Sequence, residues 1–179
     1  MAICFLIGIL EVLCLPNLKI IFLGTSASVP TVNRGLSSIA INRDGEILLF
    51  DAGEGVQRSF QKAKLGFNRK MKIFISHLHG DHCVGLLGLL QTMSMINRDK
   101  SLSVYGPRGL LGFLKGNIRS LKFGLTVPLE IHVVREGIVV DEKEYVIKSC
   151  RGEHRMTNFV YSLEEKKRRI IEAGERHHL

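Results

Sequence analysis

Three of the seven histidines fall within six residues, with an aspartate among them: His77, His79, Asp81 and His82. Neutral imidazole and carboxylate are the donors that borderline divalent ions such as zinc prefer. Residues two apart in an extended chain point the same way, so His77 and His79 at a strand end can reach one ion together. Gly80 then frees the backbone to turn, which aims Asp81 and His82 at a second point nearby. Burying four such groups without an ion leaves costly unpaired polar atoms. The cluster is therefore expected to bind metal.

Its setting fits that expectation. Lys72-Ile73-Phe74-Ile75-Ser76 is a short buried strand that runs straight into the histidines, and Val84 to Ile96 is apolar around its circumference, a buried helix. Upstream, Leu18 to Leu23 is a strand ended by the turn formers Gly24 to Pro30. Ser38 to Asn42 and Glu46 to Phe50 are strands, and Asp44-Gly45 between them is a hairpin signal. Asp51-Ala52-Gly53-Glu54-Gly55 leads into a helix over Val56 to Leu65. Further strands are expected at Ser101–Tyr105, Leu129–Val134, Gly137–Val140, Glu144–Ser149 and Phe159–Ser162, with a helix over Arg108–Leu114. Strands interleaved with helices, partly through hairpins, predict a layered α/β fold. Asp51 follows a strand, where its carboxylate either orients the histidine loop or caps the next helix.

The chain has 179 residues, 45% of them hydrophobic and 23% charged, which excludes general disorder and allows one domain or one and part of another. Lysine and arginine number 25 against 17 acids, a formal charge of +8, so an anionic partner such as nucleic acid is expected. Arg98, Lys100, Arg108, Lys115, Arg119 and Lys122 form a basic segment suited to phosphate contacts. Cys4, Cys14, Cys83 and Cys150 form no C-x-x-C pair, which suits a reducing cytoplasm. Residues 1–17 are an apolar extension, too short to span a bilayer as a helix and without the basic start of a secretory signal. No membrane association is expected.

The cluster His77-Leu78-His79-Gly80-Asp81-His82 resembles the H-x-H-x-D-H motif of the metallo-β-lactamase superfamily. Together with Phe22-Leu23-Gly24-Thr25-Ser26 and Pro30, and with Phe50-Asp51-Ala52-Gly53-Glu54-Gly55 followed by Gln57-Arg58, it resembles ribonuclease Z over residues 18–165. The resemblance implies an αββα sandwich, here the first half and part of the second. It also implies a zinc-dependent endoribonuclease that removes the 3′ trailer of precursor tRNA by attack of a metal-activated hydroxide. Two zinc ions are implied, with manganese or another divalent ion as a substitute. His77, His79 and His154 match the ligands of the first ion, and Asp81 and His82 those of the second. Asp81 matches the family's proton acceptor. The family further implies a cytoplasmic homodimer.

One departure stands out. The family uses a bridging aspartate and a final histidine well downstream of the position of His154, yet the chain ends 25 residues after it and holds no Asp beyond Asp141. His177 and His178 do not have the spacing to substitute. Residues 166–179 are expected to be a charged tail, the start of an interrupted tRNA-gripping arm. The alternatives are a fragment that is inactive or needs a partner, and another phosphodiesterase of the same fold.

Overall fold

The computed structural model describes residues 18–166 in full, together with the backbone of Ala2–Leu6 and Leu10–Leu15. The charged tail from residue 167 onward, with His177 and His178, lies outside the described residues.

Eight strands form one sheet in chain order: β1 (Ala2–Leu6), β2 (Leu10–Leu15), β3 (Leu18–Gly24), β4 (Ser38–Arg43), β5 (Glu46–Phe50), β6 (Met71–Phe74), β7 (Leu102–Gly106) and β8 (Leu129–Val133). The strands from β1 to β5 pair antiparallel, and those from β5 to β8 pair parallel. The β4–β5 hairpin turns through Asp44 and Gly45, both with positive φ (47° and 88°), the conformation that the Asp-Gly pair predicts. The parallel steps need crossovers, and helices supply them. These are α1 (Val56–Lys62), a single turn α2 (Gly80–Cys83), α3 (Gly85–Met95) and α4 (Leu110–Leu121). A second, antiparallel sheet follows, of β9 (Gly137–Asp141), β10 (Tyr145–Arg151) and β11 (Phe159–Glu165), ordered β11-β10-β9.

The alternation of side chains along the central strands sets the layers. Ile47, Leu49, Ile73 and Val104 face the helices and pack with Phe60, Leu86, Leu89, Leu90 and Met93. Leu48 and Phe74 point the other way and pack with Val140, Tyr145 and Ile147 of the second sheet. Strand β5 is therefore covered on both faces, which is why Ile47-Leu48-Leu49-Phe50 reads as a continuous apolar run rather than an alternating one. The described residues thus stack helices on a large sheet on a small sheet.

Most expected strands stand where the sequence put them, and the helix ends shift. Helix α1 stops at Lys62, short of Leu65, and α4 extends to Leu121, well past Leu114. Helix α3 is buried on one face only: Leu86, Leu89, Leu90 and Met93 are enclosed, while Met95 is 78% exposed. Arg98, expected to meet phosphate, is instead buried. Its guanidinium donates to the carbonyls of Phe67, Arg69 and Ser101, tying together the loops that enter β6 and β7. Lys100, Arg108, Lys115, Arg119 and Lys122 remain exposed. Among the described residues, no helix is long and apolar enough to cross a membrane.

Candidate metal centre

Three chain segments meet at the carboxyl ends of the central strands, where open α/β sheets place their sites. Asp51 follows β5, the segment Ser76–His82 follows β6, and His154 lies in the connection between β10 and β11. Close backbone approach is what lets them meet. A Cβ on Gly85 would lie 1.9 Å from the Gly53 carbonyl oxygen, and one on Gly53 would lie 2.7 Å from that of Asp81. Glycine at these positions allows the start of α3 to sit directly on the Asp51–Gly55 loop. The contact is secured by the Ala52 amide, which donates to the His82 carbonyl at 2.8 Å.

The Asp51 carboxylate is the hub. Its Oδ1 accepts from the Ser76 amide at 2.8 Å, and its Oδ2 accepts from the Ser76 hydroxyl at 2.9 Å and from His82 Nδ1 at 2.6 Å. It does not cap α1, whose N-cap is Gly55. Of the two roles open in the sequence, orientation of the histidine loop is the one found. The Ser76 hydroxyl, having donated to Asp51, accepts from His77 Nδ1 at 2.9 Å. That chain of donors leaves the lone pair of His77 Nε2 free to face inward.

His77 Nε2 lies 3.1 Å from His79 Nδ1, which lies 3.2 Å from His154 Nε2. The ligand atoms of these three residues all fall within 4.8 Å of one another. Two nitrogens bound to one tetrahedral zinc at about 2.0–2.1 Å are about 3.3 Å apart, so the observed separations fit a shared ion. Burial, and then the nearby His82, lower the pKa of His77 to about 4, so this ligand is neutral near pH 7. His77 is buried while His79 and His154 are exposed, which leaves the centre open to a substrate from solvent.

Asp81 and His82 form an adjoining pair. His82 Nε2 is 3.5 Å from Asp81 Oδ2, and the His82 ring centroid is 4.1 Å from that of His77. Burial works against the charge on Asp81, yet the Ser28 amide, donating to Oδ2 at 3.0 Å, and His82 hold its carboxyl below the usual range. The Asp51 hydrogen bond raises the pKa of His82 against the effect of burial. The structure therefore brings together all five residues expected to bind metal. His132 stands apart on β8, its ring stacked on Tyr105 at 4.6 Å.

Two contributors lacked a signal in the sequence. The hydroxyl role of Ser76 depends on Asp51, and the Ser28 amide reaches Asp81 only because the β3–β4 loop folds back over the site. No local pattern announces either one.

The layered fold with this histidine cluster defines a metallo-β-lactamase-fold protein. A solved metallo-β-lactamase fold protein of Bacillus subtilis, 17% identical, superposes with a TM-score of 0.64 over 82% of this chain and 58% of that one. The chain belongs to the family described as anti-Pycsar protein Apyc1, whose family model matches residues 18–173. The motif resemblance to ribonuclease Z extends to sequence similarity over most of this chain. Ribonuclease Z of Nitrosopumilus maritimus (strain SCM1) is 52% identical over 149 residues, 83% of this chain and 50% of the relative. The crystal structure of the short form of human tRNase Z is 34% identical, with a TM-score of 0.76 over 83% of this chain and 66% of that one. The chain thus spans about half the length of the curated relatives it matches.

Proposed function

We propose that this chain contributes the three-histidine part of the metal centre of a zinc-dependent endoribonuclease that removes the 3′ trailer from precursor tRNA. The observation that carries the reading is the convergence of His77 Nε2, His79 Nδ1 and His154 Nε2 from two different sheets. Sequence similarity to ribonuclease Z over most of this chain supports the choice of reaction and substrate.

His77, His79 and His154 would hold the first divalent ion, and Asp81 and His82 would contribute to a second. Zinc is the preferred occupant of such nitrogen-rich donors, with manganese as a substitute. Bound there, the ions supply an acidified water and positive charge beside a phosphodiester. Asp81, kept ionised by the Ser28 amide, accepts the proton released as the scissile bond is attacked. Asp51 and Ser76 fix the imidazoles so that no reorganisation is needed when substrate arrives. The exposed cations Arg108, Lys115, Arg119 and Lys122 on and around α4 offer phosphate contacts that position a folded RNA without reading its sequence. In this reading the enzyme is cytoplasmic, and homodimeric when whole. Residues 18–165 are its metal-binding domain, flanked by the apolar extension 1–17 and the charged tail 166–179.

A second reading rests on the second ion. Asp81 and His82 alone give it two donors where a tetrahedral ion takes four ligands, so activity depends on donors from outside these five residues. Incubating the purified chain with precursor tRNA and zinc, and in parallel with bis-p-nitrophenyl phosphate, separates the possibilities. Cleavage at the 3′ end of the tRNA supports the complete nuclease. Zinc binding without cleavage supports the partner-dependent form. Cleavage of the small diester alone assigns another phosphodiesterase of this fold.

A further inference from the structure

The first two histidines of the cluster come from the large sheet and the third from the small one, so ion binding depends on how the two sheets are held together. The sheets are tied at both ends. Far from the site, Lys72 Nζ donates to the Tyr145 hydroxyl at 3.1 Å and lies 2.7 Å from a Glu142 oxygen, and Arg43 donates to Glu165 at 2.6 Å. At the site end the ties are of another kind. Strand β6 ends at Phe74, and the next two carbonyls, of Ile75 and Ser76, both accept from β11. The Tyr161 hydroxyl donates to the Ile75 oxygen at 2.9 Å, and the Phe159 amide donates to the Ser76 oxygen at 3.0 Å. The Tyr161 ring is seated against Phe50 and Phe74, with centroids at 6.0 and 5.5 Å. From these two carbonyls the main chain passes directly into His77, and from Phe159 it runs back through the short connection that carries His154.

We propose that Tyr161 is a positioning residue of the metal centre: by fixing the Ile75–Ser76 backbone to β11, it sets the distance between His154 and the His77–His79 pair. It touches neither ion nor substrate. The proposal rests on the reading of the three histidines as one metal site. A hydroxyl that only stabilised the fold would act on both states of the protein alike. One that sets the ligand spacing must be linked to ion binding, and the linkage runs both ways.

The test uses the full chain, with zinc affinity measured by competition against a chromophoric chelator and metal-free stability measured in parallel. Tyr161→Phe keeps the ring and removes the donor. Tyr145→Phe, at the far end of the same sheet, keeps its ring and removes the hydroxyl that accepts from Lys72. Both are expected to lower stability, but only Tyr161→Phe is expected to weaken zinc binding, by about tenfold or more, as outer ligands of metal sites commonly do. Equal zinc affinity in wild type and Tyr161→Phe overturns the proposal and leaves the three-histidine site standing. Failure of the wild type to bind zinc removes that site and the proposal with it. A second measurement needs no variant: zinc should slow hydrogen exchange of the Phe159 amide and leave that of Lys166, bonded to the Glu144 carbonyl at the far end, unchanged. A Phe159 amide indifferent to zinc contradicts the proposal.

Discussion

The chemistry of the site turns on which nitrogen of His77 keeps its proton. Ser76 links that imidazole to the Asp51 carboxylate, with Asp51 accepting from the hydroxyl and His77 Nδ1 donating to it. Without the hydroxyl, Nδ1 has no acceptor there, and the inward Nε2 is no longer kept free for the ion. Ser76→Ala is therefore expected to weaken zinc binding about 10- to 100-fold, while Ser76→Thr, which restores the hydroxyl, retains most of it. Chelator competition on the two variants checks this, and equal loss in both would show that size rather than the hydroxyl matters. The candidate donors His77, His79, Asp81 and His82 were readable from spacing, because they crowd one turn of chain. His154 was recognisable only through its resemblance to a known family, since nothing around it distinguishes it from an ordinary loop histidine. Ser28 and Tyr161 were not readable, because their contacts cross 53 and 86 residues of sequence.

Among the elements, α3 decides whether the two halves of the motif meet. Its first residue rests against the Gly53 carbonyl, a contact that no side chain can share. Gly85→Ala should destabilise the protein by about 1–3 kcal/mol or more through forced displacement of backbone. It should also separate His82 from Asp51. Gly112→Ala makes the opposite case. This glycine lies in α4 with open space around its Cβ position, so alanine is expected to stabilise by about 0.5–1 kcal/mol. Denaturant unfolding of both variants gives the two signs, and a harmless Gly85→Ala would mean that α3 does not approach the loop so closely. Strand periods and the Asp-Gly turn made the β4–β5 hairpin and the strands that follow it plain in advance. Helix ends were less so: the left-handed Lys122 terminates α4 after ten exposed or half-buried residues in its twelve, a pattern with no glycine or proline at the cap itself.

At the scale of the whole fold, the small sheet is fastened by charges as well as by its apolar face. Lys72 is 7% exposed and sits between Glu46 and Glu142, its Nζ 2.6 and 2.7 Å from their oxygens. Burial alone would lower its pKa, but the two carboxylates outweigh that and raise it, so the lysine stays charged. Its hydrogen bond in turn holds Glu142 below the ordinary value of 4.5. A carboxylate with a depressed folded-state pKa adds stability above its unfolded pKa, and that stability is lost as the pH falls through the folded value. Glu142→Gln should accordingly be less stable than wild type at pH 7, with the difference shrinking below about pH 4.5 and vanishing as wild-type Glu142 is protonated. Denaturant midpoints across that range measure it, and a gap independent of pH would assign Glu142 a role other than charge. The strands of the large sheet from Leu18 onward were foreseeable from local patterns, whereas β1, β2 and this ion cluster were not. Nothing local to Glu46, Lys72, Glu142 or Tyr145 announces their pairing, which forms only when two sheets close over them.

The metal centre depends most on three imidazoles from two sheets sharing one ion. X-ray absorption at the zinc edge, on the chain loaded with a single equivalent of zinc, reads the donors directly. The expected spectrum shows nitrogen or oxygen neighbours at about 2.0–2.1 Å with outer-shell scattering from three imidazoles, reduced to two in His154→Ala. A zinc environment unchanged by His154→Ala, or no zinc retained by the wild type, would contradict it.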